Sequence, residues 1–282
     1  MYALSAFLAV LQLVDPTAHE TTTQPARPAR EVRVAVCQIL GIDSDREGNF
    51  QRITHALEQA VKDKADIACF PESIVLGWEN PDAHKLAAPI PGEDSDRICG
   101  LAKRFNVMMV IGLDEKDGDK LYDSAILVDR DGKILLKHRK INVLPELMDP
   151  PYSTGKAEDI SAVDTRLGRI GVVICADTFV EDCCQRMKAL KPDLALVPYG
   201  WAAASKEWPG HAKGLEKLVC KLGGTWSCPV VGIDLVGAMS QGPWRGRVYG
   251  GASIVADAQG RTVAVLKDRD VEVRMLTLTV GG

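Results

Sequence analysis

From Val32 to Gln38 the sequence VRVAVCQ is apolar and rich in β-branched residues, which predicts a buried strand. Asp43, Ser44 and Asp45 then offer helix caps, and Phe50, Ile53, Leu57 and Val61 recur at the spacing of one helix face. DIACF, ending at Pro71-Glu72, predicts a second, short strand. Pro91-Gly92 marks a loop, a short helix follows through Ala102, and VMMVIGL predicts a third strand. SAILVD and KILLKHRK form a predicted hairpin around Arg130-Asp131-Gly132. ISAVDT and RIGVVIC pair around Arg166 to Gly168. A helix from Glu181 to Leu190 leads to the strand DLALVPYGW, and a helix through Leu215 to Leu222 leads to PVVGIDLVG. ASIVAD and RTVAVL, joined by Ala258-Gln259-Gly260, precede a last strand, VEVRMLTLTV. Helices alternating with strands and hairpins predict a mixed sheet covered by helices, in the α/β class.

The first thirty residues break this pattern. Ala3 to Val14 is apolar but too short to span a bilayer, and TTTQPARPAR (Thr21 to Arg30) has the composition of a flexible linker. The pair reads either as a secretory signal with a mature linker or as a loosely docked tail. No Lys or Arg precedes the apolar segment and no A-x-A site follows it, which favours a cytoplasmic protein over an exported one. Residues 31–282 form one domain without internal repeats.

Composition narrows the function classes. With 282 residues, 46% hydrophobic, 26% charged and a net charge of −4, the chain is an ordinary globular protein. It carries no basic stripe with interleaved aromatics, so no nucleic-acid partner is expected. Eight cysteines without a C-x-x-C pair are too few for a disulfide scaffold and are read as reduced thiols. Five scattered histidines form no H-E-x-x-H or H-x-H unit, so no metal site is expected. The chain has no G-x-S-x-G, no G-x-G-x-x-G after the first strand, and Ala157 follows Gly155-Lys156, which argues against serine-hydrolase and nucleotide-binding chemistry.

Three polar residues close apolar strands: Glu72 after DIACFP, Lys140 after KILLKHR and Cys175 after RIGVVI. Singly, they read as a cap, a solvated cation and a buried filler. Together they suit nucleophilic catalysis. A thiol is mostly protonated at neutral pH and needs a base; a partly buried carboxylate can take its proton and return it to a leaving amine. A neighbouring ammonium lowers the thiol pKa and stabilises the oxyanion formed at an attacked carbonyl or nitrile carbon.

CFPES with LGW, HRKINVLPE with YSTG, and GVVICAD resemble, in order, the three signature blocks of the carbon–nitrogen hydrolase (nitrilase) superfamily, and the resemblance runs from Val32 to about Val280. It implies a four-layer α-β-β-α sandwich that forms homodimers or larger homo-oligomers, and a cofactor-independent hydrolase of small-molecule C–N bonds. It assigns Cys175 as nucleophile, Glu72 as general base then acid, Lys140 as stabiliser of the tetrahedral intermediate, Glu146 as the glutamate orienting lysine and substrate, and the Ala176 N–H as an oxyanion donor. Ala176 departs from the aromatic that many members carry beside the nucleophile, which implies a wider pocket. Asp177 resembles the amidase and carbamoylase branches, where nitrilases usually have glutamate. Trp78, Tyr199, Trp201 and Tyr249 follow strand ends and read either as pocket walls or as core and interface aromatics. An amidase or N-carbamoyl amidohydrolase is the leading reading. A nitrilase and a catalytically silent binding protein of the same fold are its alternatives.

Overall fold

The computed structural model of the protein describes residues 27–208 and 210–282, so the apolar segment at 3–14 lies outside the described residues. In its first half, strands β1 (Arg30–Gln38), β2 (Ile67–Cys69), β3 (Met108–Asp117), β4 (Lys120–Val128) and β5 (Ile134–Arg139) alternate with helices α1 (Arg46–Lys62), α2 (Ala83–Leu86) and α3 (Glu93–Phe105). In the second half come β6 (Ala162–Thr165), β7 (Gly168–Val172), α4 (Glu181–Ala189), β8 (Leu194–Tyr199), β9 (Ala202–Ala203), α5 (Gly210–Trp226), β10 (Val230–Asp234) and β11 (Val236–Ala238). The strands β12 (Val248–Gly250), β13 (Ile254–Ala256), β14 (Thr262–Val265) and β15 (Glu272–Val280) complete it.

The strands form two six-stranded sheets, ordered β15-β1-β2-β3-β4-β5 and β14-β13-β10-β8-β7-β6, and a small sheet β11-β12-β9. Side-chain alternation builds the layers. Val34 and Val36 of β1, Ile67 and Cys69 of β2, and Met108 and Val110 of β3 join one core with Ile170, Val172 and Leu196 of the second sheet. The intervening Ala35, Cys37, Ala68, Met109 and Ile111 face the other way, onto Ile53 and Leu57 of α1 and Ile98 of α3. Met187 of α4 and Leu215 and Val219 of α5 pack on the second sheet. The result is the α-β-β-α sandwich. All eight cysteines are free thiols, and among the described residues no helix is long and apolar enough to cross a membrane.

Three details differ from the sequence reading. Strands β3 and β4 are longer, pairing from Met109↔Val128 out to Asp117↔Lys120. The charged run there is compatible with a strand because its buried acids are paired: Glu115 by Arg139 and Lys137, Asp114 by Tyr152. PVVGIDLVG is two strands, β10 in the second sheet and β11 in the small one, split at Leu235. Asp234 holds the break, its Oδ1 accepting from the Leu235 and Trp201 N–H groups at 2.9 and 2.8 Å. The end of the linker is docked: Arg27 Nε donates to Asp193 Oδ2 at 2.6 Å, and Arg30 already lies in β1.

Candidate active site

Glu72, Lys140 and Cys175 sit just past the carboxyl ends of β2, β5 and β7, where α/β sheets present their ligand sites. Each is fixed by the backbone around it. Gly112 of β3 lets the Glu72 loop lie on the sheet, since a Cβ there would meet Glu72 Cα at 2.5 Å. The Gly112 N–H donates to the Pro71 carbonyl at 3.0 Å and the Ile74 N–H to the Gly112 carbonyl at 3.2 Å. Lys140 N–H donates to the Asp123 carbonyl at 2.8 Å. Cys175 opens a 3-10 turn, Cys175–Phe179, at φ 37°, a conformation costly for a residue with a side chain.

Lys140 is fully buried. Its Nζ hydrogen-bonds Glu72 Oε1, lies 3.2 Å from Asp123 Oδ2, and stands 4.9 Å from the centre of the Trp78 ring. Ser73 Oγ donates to the other Asp123 oxygen at 3.2 Å. Gly200 flanks the group, since a Cβ there would lie 2.9 Å from Glu72 Oε2.

Burial governs the electrostatics. It pulls the Lys140 ammonium down, but Glu72, Asp123 and the Cys175 thiol outweigh it and hold the lysine charged, well above its ordinary value. Burial pushes Glu72 well above the usual carboxylate range; Lys140 opposes this and Asp123 adds to it. The Cys175 thiol is also pushed well up, by burial and then by the Glu72 charge, with Lys140 and the Gly200 N–H pulling back. The ammonium therefore lowers the thiol pKa as expected, but does not prevail.

Asp177 lies two residues beyond Cys175 in the same turn. It is fully buried, and its carboxylate accepts from His138 Nε2 and from the N–H groups of Ile141, Asn142 and Ile174. Burial raises its pKa, but the His138 bond and ion pair with these N–H groups bring it below the usual range. All four contacts are internal. Asp177 thus ties the Lys140 and Cys175 loops together.

The other expected residues divide. Trp78 is buried beside the lysine, and Tyr249 is buried against Trp78, its hydroxyl donating to the Trp78 carbonyl at 3.4 Å. Ala176 is buried next to Cys175, its carbonyl accepting from Asn142 Nδ2 at 3.1 Å. Tyr199 is no pocket wall: it is fully buried in the core, its hydroxyl on Thr178 Oγ1 at 3.3 Å. Trp201 packs edge-on against Phe179 and His211 at 5.7 and 4.8 Å, on the flank of the Cys175 turn. Glu146 is exposed in the turn Pro145–Leu147, lining a cleft of about 430 Å³ with Pro81, Met148 and Pro243. The second carboxylate on Lys140 is Asp123, which the sequence reading passed over. Glu79, also passed over, is buried nearby. Among the described residues no group of three or more His, Cys, Asp or Glu is placed to hold a metal ion.

Residues 33–280 match the family model described as carbon–nitrogen hydrolase. An omega-amidase of Saccharomyces cerevisiae is 30% identical over 165 residues, 53% of this chain and 56% of that protein. Nitrilase 3 of Arabidopsis thaliana is 29% identical over 168 residues, 52% and 48% of the two chains. These alignments span about half the length of the curated relatives. A carbon–nitrogen hydrolase from Helicobacter pylori superposes with a TM-score of 0.77 at 20% identity, covering 88% of this chain and 89% of its own, and shares the fold.

Proposed function

The chain belongs to the carbon–nitrogen hydrolase family, and we propose that within it the protein is a cofactor-independent amidase or N-carbamoyl amidohydrolase working through a cysteine thioester. The convergence of Cys175, Glu72 and Lys140 in one buried group carries this reading. Glu72 takes the Cys175 proton as the sulfur attacks the carbonyl carbon. A carboxylate lifted by burial is the stronger proton acceptor, so its raised pKa suits the transfer from a raised thiol. Lys140 and the Ala176 N–H receive the oxyanion. Glu72 returns the proton to the leaving nitrogen, ammonia or an amine departs, and the acyl group stays on sulfur. Water, deprotonated by Glu72, attacks the thioester; the acid leaves and the thiol is restored.

The relatives include both an omega-amidase and a nitrilase. Amides are favoured because they already present a carbonyl and a nitrogen that Glu72 can protonate, whereas a nitrile must first become a thioimidate and add water. A competition between amides and nitriles with the same side group, compared by kcat/KM, tests this. Preference for the amide in most pairs is expected. Preference for the nitrile across several pairs overturns the amidase reading and leaves the triad standing. On the family resemblance the protomers pair, and Phe179, 57% exposed beside the nucleophile loop, is an apolar residue such a contact would cover.

A further inference from the structure

The loop that carries Glu72 continues into Trp78 and Glu79, both buried, at 3% and 2% exposure. Among the described residues, Trp78 Nε1 and Glu79 Oε1 have no hydrogen-bond partner, and neither does Glu72 Oε2. Buried polar atoms are nearly always paired, so orphans on two neighbouring residues around Lys140, whose Nζ stands 4.9 Å from the Trp78 ring, mark space that a polar ligand fills. Glu79 is held at φ 56°, a conformation that a non-glycine residue keeps only where its surroundings impose it.

The local charge indicates which ligand. Glu79 lies within electrostatic reach of Lys140, Asp123 and Glu146, and of the hydroxyls of Tyr152 and Tyr249. Lys140 is the cation in this group, and Glu72 and Asp123 already share it. Glu79 is therefore an acid in a site short of positive charge. Burial, opposed by Lys140 and reinforced by Asp123 and Glu146, pushes its carboxyl up to about 8, so it is largely protonated at neutral pH until a cation reaches it.

Resting on the amidase reading above, we propose that Glu79 is the anionic half of a substrate subsite for an ammonium group, so that the enzyme selects amides bearing a protonated amine over neutral and anionic amides of the same shape. The unpaired Trp78 N–H donates to an acceptor on the same ligand.

The test compares kcat/KM for 3-aminopropanamide, butanamide and succinamate, which differ at one terminal group, and for the 5-aminopentanamide and hexanamide pair. In the wild type the amine-bearing amide is expected to lead butanamide by about tenfold or more, with succinamate poorest. Glu79→Gln should bring the kcat/KM values of amine-bearing and neutral amides close together, whatever the absolute rates, and Glu79→Asp should keep part of the preference. A neutral or anionic amide preferred by the wild type, or a preference untouched in Glu79→Gln, overturns the proposal. If Glu79→Gln does not fold, the wild-type ranking decides alone. If no amide is hydrolysed, the amidase reading fails, and the subsite is read at Cys175 by peptide-mapped labelling with 2-aminoethyl and 2-sulfonatoethyl methanethiosulfonate. Faster cationic labelling that Glu79→Gln reduces supports the subsite; an unchanged ratio overturns it.

Discussion

His138 Nε2 lies 2.8 Å from Asp177 Oδ2, joining the strand that delivers Lys140 to the turn that delivers Cys175. The two loops come from different sheets, so this bond and the three N–H donors on the same carboxylate set the distance between Lys140 and Cys175.

Asp177→Asn keeps the shape but replaces one acceptor oxygen with an NH2 group facing donors. A loss of about 2–4 kcal/mol is expected in chemical denaturation, with turnover falling alongside. The Asp177 pKa is depressed in the folded protein, so its contribution is present above the unfolded value of about 4 and is lost as pH falls through the folded one. The gap between wild type and variant should narrow below about pH 4; a gap independent of pH would show that the carboxylate charge is not what holds the loops.

Cys175→Ala should fold and abolish turnover, because it removes the nucleophile and keeps the backbone. Cys175→Gly should be equally inactive yet melt at the same temperature or higher. Glycine ordinarily lowers stability, but at φ 37° it relieves strain on the order of 1 kcal/mol. Activity above a few per cent in either variant would remove Cys175 as nucleophile.

Glu72→Gln removes the proton carrier, and turnover should drop by roughly 10²–10⁴-fold. It also removes the charge that, after burial, does most to raise the thiol pKa. The pH midpoint for iodoacetamide labelling of Cys175 should therefore move down while catalysis disappears. An upward shift would contradict the electrostatics of the site.

Lys140→Met leaves Glu72 and Asp123 buried without their cation, which should cost about 3–5 kcal/mol in urea denaturation. Adding Asp123→Asn should recover part of this loss without restoring turnover. Strict additivity of the two changes would separate Asp123 from the lysine.

The Glu79 carboxyl makes stability fall with pH. In the unfolded chain it ionises near pH 4, whereas in the folded protein it keeps its proton to about 8. Wild type should lose stability relative to Glu79→Gln between those values, by a few kcal/mol at most. Melting temperatures at pH 5 and pH 8 measure it, and a constant difference would mean that the carboxyl is not desolvated.

The central strands were legible because parallel strands buried on both faces are written as unbroken apolar runs, as in VRVAVCQ and RIGVVIC. The charged stretch DEKDGDKLYD hid the β3–β4 hairpin, since pairing between distant residues is what makes buried acids tolerable there. The split at Leu235 left no trace, because an apolar residue suits either sheet. Cys175, Glu72 and Lys140 stood out as polar residues closing apolar strands. Asp123 and Glu79 carried a fainter form of the same signal, one acid inside LYDSAIL and one beside Trp78 in LGWEN. Glu146 fitted its motif and lies exposed in the turn Pro145–Leu147, a position that a motif alone does not reveal.

Val32 of β1 pairs with Leu278 of β15, nearly the whole chain away. During synthesis the first sheet therefore presents one unfinished border until β15 emerges, however early its other strands assemble. Contacts of such long range slow folding, and an open β border is a template for association with other chains. Because Val34 and Val36 of β1 face the core between the two sheets, that late pairing also seals the layer on which the Cys175 turn rests. The nascent protein thus acquires the support of the Cys175 turn only once β15 is available, and loss of β15 would be felt first as aggregation during expression.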